Sequence, residues 1–231
     1  MPKLLLLIIF FEVIKMSDKI IAAHQPNFMP NLGFFYKMAQ ADLFVIITNI
    51  QFERQEGWQR RNLFNDSHGD FWLTVPVLGS QNQKVKEVKI KYERDWCKKH
   101  RRTLWMNYGE SPGRNFLLHV DKIYDLRYEK LKDLNIALIK LIKETLGITT
   151  PLIIDNEVSG KKHEFIINIC KKYEGNVYLS GSGAKSYMDD EKILELEENG
   201  IIHRFVGQAP VDNYSYSAAH YILTHGPKAT A

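Results

Sequence analysis

Residues 20–48 read IIAAHQPNFMPNLGFFYKMAQADLFVIIT. Ile20–Ala23 is a short apolar strand that runs into His24. Pro26 and Pro30, five residues from first to last, forbid regular pairing, so this stretch is a loop at a strand end. From Leu32 to Ala41 the spacing predicts a helix, with Phe34, Phe35, Met38 and Ala39 on a broad apolar face. ADLFVIIT (41–48) is a continuous apolar run of the kind found in parallel strands buried on both faces. Strand, loop, helix and strand within about 30 residues make a βαβ unit. The fold class expected is therefore α/β, a mostly parallel Rossmann-like sheet flanked by helices.

Downstream, FWLTVPV (71–77) reads as a strand ending at Pro76, and VKEVKIKY (85–92) alternates as a half-exposed strand should. Trp96 to Tyr108 and Leu117 to Leu146 are helical by period, a long helical segment in the middle of the chain. In the second stretch Leu117, Val120, Ile123, Leu131, Leu134, Leu138, Leu141 and Ile142 recur at three- and four-residue steps, and Gly147 supplies the stop. A further helix is expected over about 161–173. NVYLSGSGAKSYMDD (176–190) predicts strand, glycine turn and helix, and ILELEENGIIHRFV (193–206) predicts helix, Gly200 cap and strand. No internal repeat, low-complexity tract or linker interrupts this alternation, so one α/β domain is expected over 16–207.

The chain has 231 residues, 45% apolar and 25% charged, a soluble globular balance that excludes disordered and fibrous classes. With 31 basic against 27 acidic residues the net charge is only +4, too mild to argue for nucleic acid. Cys97 and Cys170, the two cysteines, form no CxxC, which excludes a disulfide framework and a cysteine-rich zinc site and points to a cytoplasmic setting. Leu4–Phe11 is an apolar run of eight, too short for the ~20 residues that a spanning helix needs. No small-residue cleavage site follows it, and MSDKIIAAHQP reads as a normal cytosolic opening. Residues 1–15 are accordingly expected to be an upstream extension of a start at Met16.

Four stretches carry candidate chemistry. His24 stands where the first parallel strand ends, the edge at which open α/β sheets bind ligands, and a helix N-terminus follows closely to favour an anion. His24, Gln25 and Asn27 are the candidate catalytic residues, and Lys37 on the next helix is a candidate anion contact. The alternative is that the loop's polar side chains merely tie down its prolines. Second, Ser180, Gly181, Ser182 and Gly183 follow a strand, where glycines let backbone approach a phosphate and serines add donors. This is neither GxGxxG nor a Walker sequence, and a plain βα turn is the plainer reading. Third, Gln51, Arg54, Trp58, Gln59, Arg60, Arg61 and Asn62 crowd polar groups and an indole into twelve residues. Arginines grip phosphate or carboxylate in bidentate fashion and Trp58 can stack on a sugar or base; a solvated loop is the plainer reading. Fourth, 84–102 holds nine Lys/Arg against three acidic residues, ordinarily a wet surface, with His100 the member to watch. His119 and His163 read as surface helix residues. HExxH, GxSxG, DxD, GxxxxGK[ST] and a Cys–His pair at metal spacing are all missing, so no metal site is expected.

On HQPNFMPNLGFFYKMAQADLFV, WQRRN, WLTVPV, KHRRTL and YLSGSGAKSYMD the chain resembles the WbqC-like family of bacterial proteins, from about Ile20 to Phe205. Members typically lie in gene clusters for O-antigen and related surface polysaccharides. The resemblance implies a part in lipopolysaccharide assembly, as a transferase that modifies a sugar precursor, with an amino acid such as glycine one proposed cargo. Two departures stand out. Family members carry Asp after the second strand where this chain has ITNIQF, and 208–231 looks divergent or truncated against the family's closing proline-aromatic segment and apolar helix. A looser likeness, of fold only, is to HIGH-type nucleotidyltransferases, although the HIGH spelling itself is absent.

The expected activity is transfer from a phosphate-bearing donor. His24 and Gln25 would contact the reacting centre, Gly181 and Gly183 would cradle phosphate, and Arg60 or Arg61 would neutralise its charge. The rival is a non-catalytic protein that binds or presents a nucleotide-sugar. The partner expected is a small sugar or nucleotide-activated substrate, with no nucleic acid and no membrane span. The cofactor stays open, ATP or another nucleotide being the candidate, and the oligomeric state is not read from the sequence.

Overall fold

The structure, a computed structural model, describes residues 18–53, 57–79, 82–181, 183–184, 188–207 and 215–226. Residues 1–15, Arg54 and Ser182, singled out above, lie outside them, as does half of 208–231.

Five strands form one all-parallel sheet: β1 (Ile20–His24), β2 (Leu43–Ile47), β7 (Leu152–Asp155), β8 (Val177–Ser180) and β9 (Ile202–Phe205). Their spatial order is β7-β2-β1-β8-β9. Ranked along the chain this is 3-2-1-4-5, the doubly wound arrangement. The register is set by Ala23 opposite Val45 and Ile20 opposite Val177. Because side chains alternate along a strand, the sheet feeds two cores. Ala22, Phe44, Ile46 and Leu179 pack into one, with Phe35 and Met38 of α1 (Leu32–Ala39). Ile21, Ala23, Val45 and Tyr178 pack into the other, with Ile166 and Ile169 of α5 (His163–Lys172) and Leu196 of α6 (Asp190–Glu198). The winding reverses between β1 and β8, so the loops leaving these two strands splay apart and leave a crevice.

The first core is much the larger, because the excursion between β2 and β7 covers it. That excursion holds the hairpin β3 (Arg61–Asp66)–β4 (Gly69–Thr74), the short pair β5 (Val77–Leu78)–β6 (Lys89–Ile90), and helices α2 (Trp96–Tyr108), α3 (Asn115–Asp125) and α4 (Leu131–Thr145).

Two expected elements differ. The single helix expected over 117–146 is broken between Asp125 and Leu131, where Arg127 takes a left-handed φ of 45°. Glu129 and Leu131 there bond across to β6 and Val88, with Ile90 N donating to Glu129 O and Leu131 N to Val88 O. The eight-residue gap from Ile123 to Leu131 in the apolar series marks this break. The strand expected over 85–92 is instead a 3₁₀ turn, Val85–Glu87, followed by the two residues of β6. Glu87 reaches back to accept from Lys84 N at 3.1 Å, which closes the turn and buries Val85 and Val88 together on one side.

Past Gly207, α7 (Ala218–His225) buries Ala218, Ala219, Ile222 and Leu223 in the larger core. Ser217 caps it and also donates its N–H to Leu63 O, while Ala218 N donates to Pro30 O. The tail expected to be divergent or truncated thus supplies a packed helix that props the loop after β1.

Candidate functional site

A cleft of about 1120 Å³ opens at the carboxyl edge of the sheet, over the reversal between β1 and β8. His24, Gln25 and Asn27 line it from the loop after β1, Lys37 from α1, and Ser180, Gly181 and Gly183 from the end of β8. Trp58 and Asn62 complete the set of expected residues that the fold brings to it. Two stretches about 150 residues apart therefore meet because parallel strands end on the same rim.

The loop after β1 is held by polar side chains at a distance from its own sequence. Asn135 of α4, fully buried, donates from Nδ2 to Pro26 O at 2.7 Å and Gln59 O at 2.6 Å. Asn62 donates to Phe28 O and Met29 O, fixing Met29 at a left-handed φ of 41°. Gln59 accepts from Glu53 N and donates from Nε2 to Gln25 Oε1 at 2.9 Å. That bond takes the Gln25 oxygen and leaves its NH₂ for the cleft. The Oδ1 of Asn27 is buried without a partner, an acceptor in want of a donor.

His24 donates from Nδ1 to the Gln25 carbonyl at 2.9 Å, since a carbonyl can only accept. Its Nε2 therefore carries the lone pair. Burial, reinforced by the nearby Lys37 ammonium, pushes its pKa down to about 3, so the ring is neutral at neutral pH. Such a ring orients an O–H or N–H through Nε2 and is a weak base.

Lys37 is only 5% exposed. Its ammonium donates to Ala23 O at 2.9 Å and lies 5.8 Å from the centre of the Phe44 ring. No carboxylate pairs with it among the described residues, and burial pulls its pKa down to about 8. The other charged group among the described residues lining the cleft is the cation Lys162, exposed at the start of α5 and held at a φ of 52°. Among the described residues no acidic side chain lines the cleft. Among the described residues Lys37 is thus a buried cation without a counter-charge, a state that costs free energy until an opposite charge compensates it.

Four expected contacts are not made. Gln59 is fully buried and acts on Gln25 from behind. Arg60 and Arg61, both half-buried, do not line the cleft; the Arg61 guanidinium lies 4.6 Å from the centre of the Trp72 ring. His100 is buried between elements, donating from Nε2 to Thr74 O and accepting at Nδ1 from the Tyr124 hydroxyl, both at 3.2 Å. With both nitrogens occupied and its pKa pushed down to about 4 by burial, it is a neutral strut. Asn62 reaches the cleft wall, but its amide is spent on the loop. Sequence reasoning missed Lys162, Trp72, which packs 5.6 Å from Trp58, and His203 beside Ser180.

The glycine turn after β8 is open. A Cβ added at Gly181 or Gly183 would meet nothing within 4 Å, and neither glycine has a left-handed φ. Gly183→Val is therefore expected to leave the ligand-free melting temperature unchanged. If backbone approach matters at this turn, the same variant loses the stabilisation that a phosphate ligand confers in a thermal-shift titration. An unchanged ligand shift removes Gly183 from the site.

The chain is an α/β protein with a cleft at the switch point of a doubly wound sheet, the place where open α/β sheets bind their ligands. Residues 25–223 match the WbqC-like protein family, and the chain belongs to that family. It is also 34% identical over 186 residues to "Uncharacterized protein Rv1507c" of Mycobacterium tuberculosis (strain ATCC 25618 / H37Rv), covering 77% of this chain and 79% of that protein. No solved structure matches. Among the described residues no helix is long and apolar enough to cross a membrane.

Proposed function

We propose that this WbqC-like protein binds a phosphate-bearing, nucleotide-activated sugar precursor in the switch-point cleft and transfers a group within surface-polysaccharide assembly. The observation that carries the reading is Lys37, a buried ammonium with no carboxylate partner, facing a cleft whose described lining has no acidic side chain. An arriving phosphate supplies the missing counter-charge, and the open turn at Gly181 and Gly183 lets backbone approach its oxygens. In transfer, Lys37 stabilises the charge that builds on a departing phosphate. His24 Nε2 and Asn27 Oδ1 accept from the hydroxyl or amine of the attacking group and orient it. The Trp58–Trp72 pair at the rim offers a face on which a base or sugar ring stacks.

One observation favours the rival, a protein that binds the same ligand without turning it over: among the described lining residues no carboxylate stands ready as a base, and His24 is a weak one. Thermal-shift titrations with pyrophosphate, ATP, CTP and UDP-sugars, followed by product analysis with candidate acceptors, test both. Stabilisation by pyrophosphate and a nucleotide-sugar, with turnover, supports the transferase; stabilisation with no product under any acceptor supports the binding protein. No shift with any phosphate ligand sinks both.

A further inference from the structure

Ser180 and His203 were brought together by the sheet and not by the sequence. The Ser180 Oγ lies 2.8 Å from His203 Nε2. His203 stands on β9, stacked 6.3 Å from Tyr178 at 13° and edge-on to Phe205 at 4.7 Å. Its other ring nitrogen, Nδ1, is buried with no hydrogen-bond partner among the described residues. This orphan decides which way the pair is polarised. A neutral imidazole protonates one nitrogen only, and buried N–H groups without an acceptor are rarer than buried acceptors without a donor. The proton therefore sits on Nε2, which donates to Ser180 Oγ, and Nδ1 stays bare. Burial lowers the His203 pKa and keeps the ring neutral. With an Oγ lone pair taken by His203, the Ser180 hydroxyl has its single proton to give elsewhere. The residue is 4% exposed and borders the cleft.

We propose that the Ser180 hydroxyl is a hydrogen-bond donor to an anionic oxygen of the ligand in the cleft, and that His203 is the positioning residue that commits it to donation. The proposal rests on the reading of the cleft as a phosphate site and adds a donor at the end of β8 to the Lys37 ammonium from α1. It also separates this pair from a Ser–His nucleophile, which needs Nε2 bare and a third group holding an Nδ1–H. Here no described residue holds Nδ1.

Pyrophosphate is the probe, titrated calorimetrically into the full chain. Ser180→Ala and His203→Phe, the latter keeping the aromatic stack, should each weaken binding about tenfold, and the double variant no further. His203→Gln, whose side-chain amide can donate to Ser180, should restore most of the affinity, which a purely structural role for His203 would not predict. On the unmodified protein, long-range ¹⁵N–¹H spectra should report His203 protonated at Nε2, a readout that survives if a variant misfolds. Wild-type failure to bind pyrophosphate overturns the phosphate reading and this donor with it. Binding that is intact in both single variants overturns the donor alone, as does a His203 ring protonated at Nδ1 or covalent capture of Ser180 by a fluorophosphonate.

Discussion

Lys37→Met should abolish measurable pyrophosphate binding while raising the melting temperature of the ligand-free protein. The two effects have one cause. Burial drags the Lys37 pKa from 10.5 to about 8, so holding the ammonium charged at pH 7 costs on the order of 3 kcal/mol. A methionine of similar length removes that cost and forfeits the bond to Ala23 O, worth about 1 kcal/mol. A net gain of about 2 kcal/mol corresponds to several degrees in a chain of this size. With ligand present the balance inverts, because an anion left without its buried cation loses about 3 kcal/mol, or on the order of a hundredfold in affinity. The pH dependence follows. With a lowered folded pKa, the unfolded state holds more protons between pH 8 and 10.5, so ligand-free stability rises with pH across that window in the wild type. Pyrophosphate affinity falls over the same rise, and the Met variant shows neither slope. A Met variant that is less stable than wild type and binds pyrophosphate equally well would refute the assignment.

Acidification should destabilise the protein well before its carboxylates titrate. His24 and His100 have folded pKa values of about 3 and 4, against 6.5 unfolded. Between those limits the unfolded chain takes up protons that the folded chain refuses. Their contribution is complete above pH 6.5 and is lost progressively as pH falls toward 4. At pH 4.5 the pair costs roughly 4 kcal/mol, with His100 carrying the firmer share because His24 borders a cleft that water enters. Asp155, held below the usual carboxylate range by Lys172, Tyr173 and the backbone N–H groups of Val158 and Glu157, adds to the loss only below about pH 4. Urea midpoints at pH 7, 5.5 and 4.5 measure the limb. His100→Gln, which keeps a donor for Thr74 O, should remove about half of it. Equal wild-type midpoints at pH 7 and 4.5 would show that neither ring is held neutral by the fold.

The opening βαβ unit was legible because its strands are buried on both faces and so are apolar without interruption, and because its prolines announce where pairing must stop. The glycine turn after β8 was legible for the same reason. Other stretches misled in instructive ways. The apolar series of Leu117–Ile142 resumes its three- and four-residue steps after the gap between Ile123 and Leu131, since helices α3 and α4 face one core, and the two therefore read as one helix. Gln59, Arg60 and Arg61 are adjacent in the chain, but the turn before β3 sends Gln59 inward to brace Gln25 while neither arginine lines the cleft.

Local sequence determines local states here: which segments are strand or helix, where loops begin, and that the polar residues after β1 and β8 sit at strand ends. It does so because backbone sterics and apolar periodicity act over a few residues. The order 3-2-1-4-5 depends on pairings between strands up to about 150 residues apart, whose partners nothing local names. The chemistry of the site was settled by those same pairings. Lysine, serine and histidine are ordinary until packing removes water from Lys37, seats His203 against Ser180 and lets Asn135 bond Pro26 from across the core. Protonation state and hydrogen-bond polarity are properties of surroundings, and the surroundings exist only once the chain has folded.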